Sequence, residues 1–221
     1  MSEHAGDVRH FAYGQDAIDY LCSRDPKLAE VIGQVGHVYR VVENDLFACV
    51  IKNIVGQQIS GKALETIWGR ILGALGEVTP ETVSGASVEE LQSLGMSFRK
   101  AEYAHGFAAS VAAGTFDLGA VRNMPDEEAI AALTTVRGIG RWTAEMILLF
   151  CLQRPDILAF DDLGIQRGMR MVYHHRKITK KLFEKYRRRY SPYGSVASLY
   201  LWEVSGGRLP GYRDYAPKRK R

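Results

Sequence analysis

Two adjacent carboxylates, Asp161 and Asp162, stand near the end of the stretch TTVRGIGRWTAEMILLFCLQRPDILAFDDLGIQRG, residues 134–168. An aspartate at a helix start acts as the N-cap, accepting a hydrogen bond from a backbone N–H that the helix leaves unpaired. With one cap filled, the second aspartate is surplus. The positive end of the helix dipole stabilises an ionised carboxylate at that place. A fixed anion of this kind suits a reaction in which positive charge grows on the substrate, as on a sugar becoming an oxocarbenium ion. A plain capping pair is the alternative reading.

Upstream, LTTVRGIGRWTAE sets Gly138 and Gly140 on either side of Ile139 and follows them with Arg141 and Trp142. A glycine turn between two helices lets backbone amides at the second helix's N-terminus approach a phosphate with no Cβ in the way. Such a hairpin holds a DNA backbone without reading its sequence. Isolated GxG turns usually just connect helices, but the apolar Ile139 and the Arg141 beside it favour the phosphate reading. Roughly fifteen helical residues at about 1.5 Å each carry the chain away from the turn. The connector then returns it to Asp161 and Asp162, which favours chemistry over simple capping. A third stretch, NIVGQQISGKAL, interrupts two helices with Gly56-Gln57-Gln58. It is either a helix turn capped by Ser60 or a protruding loop whose Gln58 or Ile59 enters a duplex from which a nucleotide has been extracted.

The elements that must position these residues read as helical nearly throughout. NDLFACVIKNIVGQQ places Leu46, Phe47, Val50, Ile51, Ile54 and Val55 at the repeat of a core-facing helix capped by Asn44 or Asp45. Ser60 caps a second helix through Leu75. Thr79-Pro80-Glu81 reads as a cap followed by proline in the first turn, and Ser87 with Glu90 forms a capping box. Ser97 opens another helix that Gly114 ends, and MPDEEAIAALTTV is amphipathic. Further helices are expected over 142–152, 162–173, 179–190 and 194–205. No convincing alternating strand and no internal repeat occur, so the expected fold class is all-α.

With 221 residues and 46% hydrophobic content, the chain can bury a sizeable core. No stretch has the length of a membrane span, and MSEHAGDVRHF lacks the apolar core of a secretory signal, so a cytoplasmic protein is expected. Three separated cysteines, Cys22, Cys49 and Cys151, exclude both a disulfide framework and a four-thiolate metal or iron–sulfur site, and they read as buried free thiols. The net charge of +4 is modest but uneven. Acidic residues crowd 77–90 and 126–128, whereas basic ones crowd 167–189 and the tail PKRKR, making the C-terminal third the cationic part. On charge alone, a solvated surface and a phosphate-binding surface stand level.

Taken together, LTTVRGIGRWTAEMIL and DILAFDDLGIQRG resemble the signature of the helix-hairpin-helix DNA glycosylases. IVGQQIS, LGMSFRKAEY and GIGRWTAE are most similar to the alkylpurine, 3-methyladenine DNA glycosylase II, branch. The resemblance runs from about Leu46 to Trp202. It implies a monofunctional enzyme that flips N-alkylated purines such as 3-methyladenine and 7-methylguanine out of duplex DNA and hydrolyses the N-glycosidic bond in base excision repair. Asp162 becomes the catalytic carboxylate and Asp161 its capping neighbour. Trp142 occupies the place where strand-cleaving relatives such as endonuclease III carry a nucleophilic lysine; without that amine no Schiff base can form there. N-alkylation makes the purine cationic, so the electron-rich indole of Trp142 suits it. Trp202 matches a second pocket aromatic, with core packing as the alternative, and Tyr200 and Phe47 are weaker pocket candidates for which core packing is the leading reading.

DNA contact is implied for Gly138, Ile139, Gly140 and Arg141, and for Gln57, Gln58, Ile59 and Ser60, with Gln58 at the place of the wedge that fills the vacated stack. Arg99 and Lys100 are phosphate candidates whose default is solvated surface. A monovalent cation, Na⁺ or K⁺, held by the backbone carbonyls of Thr134, Val136 and Ile139 is implied, with no other cofactor and no iron–sulfur cluster. The expected architecture is two helical subdomains, 45–150 with the hairpin, and 1–44 plus 151–221 with the catalytic aspartate, the pocket lying between them. The β domain that opens larger relatives is expected to be absent. The protein is expected to be a monomer. The rival readings are a non-catalytic hairpin module, which leaves Asp162 and Trp142 without a role, and a glycosylase for oxidised purines.

Overall fold

The computed structural model describes residues 9–217, so the end of the basic tail, residues 218–221, lies outside the described residues. The described chain holds thirteen α-helices and forms two compact units, Met1–Val42 with Gln153–Arg221, and Glu43–Leu152. None of these helices is long and apolar enough to cross a membrane.

The first unit opens with α1 (Gln15–Arg24) and α2 (Pro26–Val35). Ahead of them residues 9–12 run extended, and an antiparallel bridge joins His10 to Val41. The Phe11 amide donates to the Arg40 carbonyl at 2.7 Å and the Val42 amide to the Arg9 carbonyl at 3.0 Å. The early region is therefore less uniformly helical than its pattern predicts, because these two short segments satisfy their backbone groups on each other.

The second unit is built from α3 (Leu46–Gly56), α4 (Gly61–Leu75), α5 (Pro80–Gly85), α6 (Val88–Ser93), α7 (Phe98–Ala112), α8 (Leu118–Asn123), α9 (Asp126–Thr134) and α10 (Arg141–Phe150). Its helix starts follow the side-chain chemistry. Asp45, Ser60, Thr79, Ser87, Ser97 and Asp117 each accept a hydrogen bond from the first turn of the helix they precede. Thr79 and Ser87 do so within reciprocal capping boxes. Val50, Ile51, Ile54 and Val55 of α3 are buried, as are Ala101, Ala104 and Phe107 of α7 and Ile147 and Leu148 of α10. Within this unit α8 lacks a counterpart in the helical pattern of the sequence. It is a six-residue helix, too short to show an amphipathic repeat.

The chain then returns to the first unit with α11 (Leu163–Tyr173), α12 (Lys180–Tyr190) and α13 (Gly194–Ser205). In this unit the most extensive helix pairing is α11 with α13, and α2 packs on both. A buried polar knot ties the early and late segments together. Asp25 caps α2 by accepting from the Lys27 and Leu28 amides, each at 3.1 Å. The same carboxylate accepts from the Tyr173 hydroxyl at 2.9 Å and from Arg189 at 2.7 Å. At the far end, Arg170 of α11 grips both carboxylate oxygens of Asp214, each at 2.7 Å, fastening the segment after α13. Among the thiols, Cys49 and Cys151 are buried and Cys22 is half-buried, all three free.

Candidate active site

Asp162 is 7% exposed and is itself the N-cap of α11. Its Oδ1 accepts from the Ile165 amide at 2.7 Å and from the Trp202 indole Nε1 at 2.9 Å. This corrects the division of labour between the two acids: Asp161 is exposed, and Asp162 carries both the cap and the buried carboxylate. The reason lies in the connector ahead of α11. Asp156 accepts from the Ser191 hydroxyl at 2.6 Å and from the Gly194 amide at 3.0 Å, while the Ser195 amide donates to the Pro155 carbonyl at 3.0 Å. Ser198 of α13 donates to the Ile157 carbonyl at 3.1 Å, and Gln166 of α11 donates to the Phe160 carbonyl at 2.6 Å. These bonds set the backbone so that the second aspartate turns inward.

Two glycines of α11 make room for the arrangement. A Cβ at Gly164 would meet Trp202 Cδ1 at 2.8 Å and Asp162 Oδ1 at 3.1 Å, and one at Gly168 would collide with the Leu201 carbonyl of α13. Trp202 thus reaches the acid across a helix contact made at backbone distance. Leu163, the first residue of α11, is 80% exposed, so the carboxylate lies just beneath the surface. Tyr200, a weaker pocket candidate whose leading reading is core packing, is buried at 1% exposure, and its hydroxyl donates to the Gly36 carbonyl at 3.1 Å. Burial pushes its phenol well up. Its one polar group faces the protein interior, which withdraws it from the candidate pocket.

In the second unit the hairpin turn joins α9 to α10. Gly138 has φ 89°, and a Cβ there would overlap the Tyr103 ring. Only glycine fits both conditions. A Cβ on Gly140 would meet nothing within 4 Å, so no packing demands glycine there and the start of α10 stays open. Ile139 is 5% exposed. Its side chain anchors the turn and leaves its backbone to face outward partners. The Ile139 amide donates to the Val136 carbonyl at 3.0 Å. Gln57 Nε2 donates to the Gly138 carbonyl at 2.7 Å, coupling the polar loop after α3 to the hairpin. Gln58 is exposed with φ 56°, Ile59 is half-buried, and the exposed Ser60 uses its hydroxyl to cap α4.

Three further candidates have partners within the protein. Arg141 is committed to carboxylates: its two terminal nitrogens reach both oxygens of Glu127 at 3.0 and 2.7 Å, and Nε reaches Glu145 at 3.1 Å. The Glu127 hydrogen bonds raise its already high pKa. In this arrangement it braces α9 against α10. Lys100 donates to the Val55 carbonyl at 2.8 Å and the Gln57 carbonyl at 2.6 Å, capping the C-terminal end of α3, and its burial lowers the ammonium pKa. Phe47 is 4% exposed and stacks on Phe107 with ring centroids 5.4 Å apart, as a core residue. Trp142, by contrast, is 43% exposed in the first turn of α10. Sequence reasoning passed over Tyr103 and Arg137, although Arg99 and Tyr103 stand one helical turn apart on α7 and Arg137 directly precedes the turn.

An all-helical chain with a glycine turn braced in this way, followed by an inward aspartate capping a later helix, is a helix-hairpin-helix protein. More narrowly, it belongs to the HhH-GPD superfamily of base excision DNA repair proteins, whose model matches residues 51–192. It is 32% identical to YfjP of Bacillus subtilis over 73% of this chain, and it spans 60% of that relative's length. Among solved structures, it is similar to a DNA-3-methyladenine glycosidase of Bacillus halodurans, with TM-score 0.83, 33% identity, and coverage of 94% of this chain and 97% of that one. It is also similar to the 3-methyladenine DNA glycosylase Mag1 of Schizosaccharomyces pombe in complex with abasic DNA, with TM-score 0.78, 28% identity, and coverage of 90% and 100%.

Proposed function

We propose that this chain is a monofunctional DNA glycosylase that releases N-alkylated purines from duplex DNA, acting as a monomer. The observation that carries this reading is Asp162, a buried carboxylate fixed by two donors at the N-terminus of α11. An anion whose orientation is set beforehand needs no reorganisation when charge develops opposite it, and this is the most effective way for an enzyme to stabilise a cationic transition state. The names of the solved relatives support the choice of alkylated purine.

In the reaction, the C1′–N bond breaks and its electron pair leaves with the base. An N-alkylated purine is cationic, so it departs neutral. The sugar becomes an oxocarbenium ion facing Asp162, and water adds to C1′ and loses a proton to leave an abasic site. Trp142, half-exposed at the head of α10, offers an indole face to a cationic base, and an indole cannot form the Schiff base that lyase chemistry requires. Gln58, exposed in a left-handed conformation, takes the wedge role beside a hairpin that approaches the backbone through Gly138, Ile139 and Gly140. The carbonyls of Thr134, Val136 and Ile139 are neutral donors suited to Na⁺ or K⁺, and the bond from Ile139 to Val136 uses one of that oxygen's two lone pairs.

The test is incubation with duplex DNA carrying 3-methyladenine or 7-methylguanine, followed by chromatography of the released base. Free alkylpurine with an intact, alkali-labile strand is the expected result. Release of 8-oxoguanine in its place would establish the oxidised-purine reading, and DNA binding without release of any base would reduce the chain to a hairpin module.

A further inference from the structure

Beside the hairpin, one tyrosine carries two guanidinium groups. Arg99 donates its Nε–H to the Tyr103 hydroxyl at 2.7 Å, with its Cζ 5.8 Å from the ring centroid. Arg137 places its Cζ 5.4 Å from the same centroid. The Tyr103 ring is half-buried and lies against Gly138, where a Cβ would overlap it. The ring therefore packs directly on the turn. Both arginines are exposed, and neither forms an ion pair with a carboxylate among the described residues, although Glu102 lines the same 370 Å³ cavity as Tyr103 and Arg137. Arg141, the cation that the sequence places at the hairpin, is instead held by Glu127 and Glu145.

We infer that Arg99 and Arg137, mounted on Tyr103, form a clamp for one phosphodiester of the DNA backbone, and that this clamp supplies the cationic charge of the hairpin in place of Arg141. The inference rests on the DNA glycosylase reading above. Two like charges on one ring repel each other, and an anion shared between them relieves that repulsion. Arg99 is held at the hydroxyl end of the ring by its Nε–H, Arg137 sits against the ring, and a planar guanidinium fork matches two phosphate oxygens. Both arginines are exposed; the Nε–H of Arg99 is spent on the Tyr103 hydroxyl, and its terminal N–H groups remain for phosphate. The contact reads no base, in keeping with a hairpin that accepts any sequence.

The experiment measures binding of an undamaged duplex oligonucleotide as a function of salt, by fluorescence anisotropy, for the full-length protein. Each neutralised phosphate contributes about 0.9 to the slope of log K against log salt. The Arg99→Ala/Arg137→Ala double variant is expected to lower that slope by about 0.9 and to bind about tenfold more weakly at low salt. Tyr103→Phe keeps the ring, removes the acceptor for Arg99 and should fall between. Arg141→Gln should keep the wild-type slope. A double variant with wild-type slope and an unchanged melting curve overturns the clamp. Paired Arg→Lys replacements have the charge without the fork, so they should restore the slope but only part of the affinity; affinity restored in full overturns the forked clamp. Base release by the wild-type protein is measured in parallel. Its absence would sink the glycosylase reading while leaving the salt slopes to decide the clamp.

Discussion

Trp202 donates its indole N–H to the same oxygen of Asp162 that accepts the Ile165 amide. One bond comes from the helix the acid caps and the other from the helix packed across it. Asp162→Asn keeps a good capping side chain and removes the negative charge. Loss of such preorganised stabilisation costs about 10²–10³ in rate. Base release under single turnover should fall by that much while the melting temperature stays nearly unchanged. Equal rates would deny the carboxylate its electrostatic role.

Trp202→Phe retains an aromatic ring on α13 and deletes only the donor. About tenfold slower base release is expected, which corresponds to a hydrogen bond to a charged group at the low end of its usual worth. Affinity for abasic DNA should not change. A drop in affinity with no change in rate would make Trp202 a packing or binding residue and not one that positions the acid.

Much of this was readable in the residues themselves. Ser60, Thr79, Ser87 and Ser97 cap the helices their types announce, because a cap is settled by neighbours within one turn. The choice between Asp161 and Asp162 was not. It depends on Asp156, Ser191 and Ser195, joined by bonds that span 35 residues or more of chain. The same distinction separates the basic residues. Arg99, Arg137, Arg141 and Lys100 look alike in sequence, and only the tertiary fold brings Glu127 to Arg141, two helix-end carbonyls to Lys100, and the Tyr103 ring, one turn from Arg99, to Arg137.

Lys100→Met removes the cap on the carbonyls of Val55 and Gln57 while keeping the aliphatic stem. A loss of about 1–3 kcal/mol is expected by urea unfolding, as for a hydrogen-bonding charge deleted from a partly buried site. The salt slope of DNA binding should be unaffected. A slope that falls without loss of stability would return Lys100 to the phosphate-contacting set.

Asp25→Ala strips the cap from α2 and leaves Tyr173 and Arg189 without their shared acceptor. Breaking a buried pair from one side costs about 3–5 kcal/mol, at the low end here because Arg189 is partly exposed. Chemical denaturation should report that loss, and α1, α2 and α12 should gain hydrogen-exchange rate together. A change under about 1 kcal/mol would mean that only the cap mattered.

The Asp214–Arg170 pair makes a prediction about pH. The Arg170 hydrogen bonds hold the Asp214 carboxyl below its ordinary range. A depressed folded-state pKa contributes stability that is fully present above the unfolded value of about 3.9 and is lost as pH falls through the folded one. The melting temperature of Asp214→Asn should therefore lie below wild type at pH 6, with the gap closing towards pH 2–3. A gap that stays constant over this range would show that the pair adds no proton-linked stability.

The missing side chains at Gly164 and Gly168 carry a consequence for how this protein can vary. Because α11 meets α13 through bare backbone at these points, the orientation of the acid and the cohesion of the unit draw on the same few cubic ångströms. A larger residue at either place pushes helix and indole apart in one movement, so damage to chemistry and damage to folding arrive together. Selection for a different substrate therefore has little freedom beneath the carboxylate. Its room to manoeuvre lies at exposed positions such as Leu163 and Trp142, where a side chain can be exchanged without reopening the helix seam.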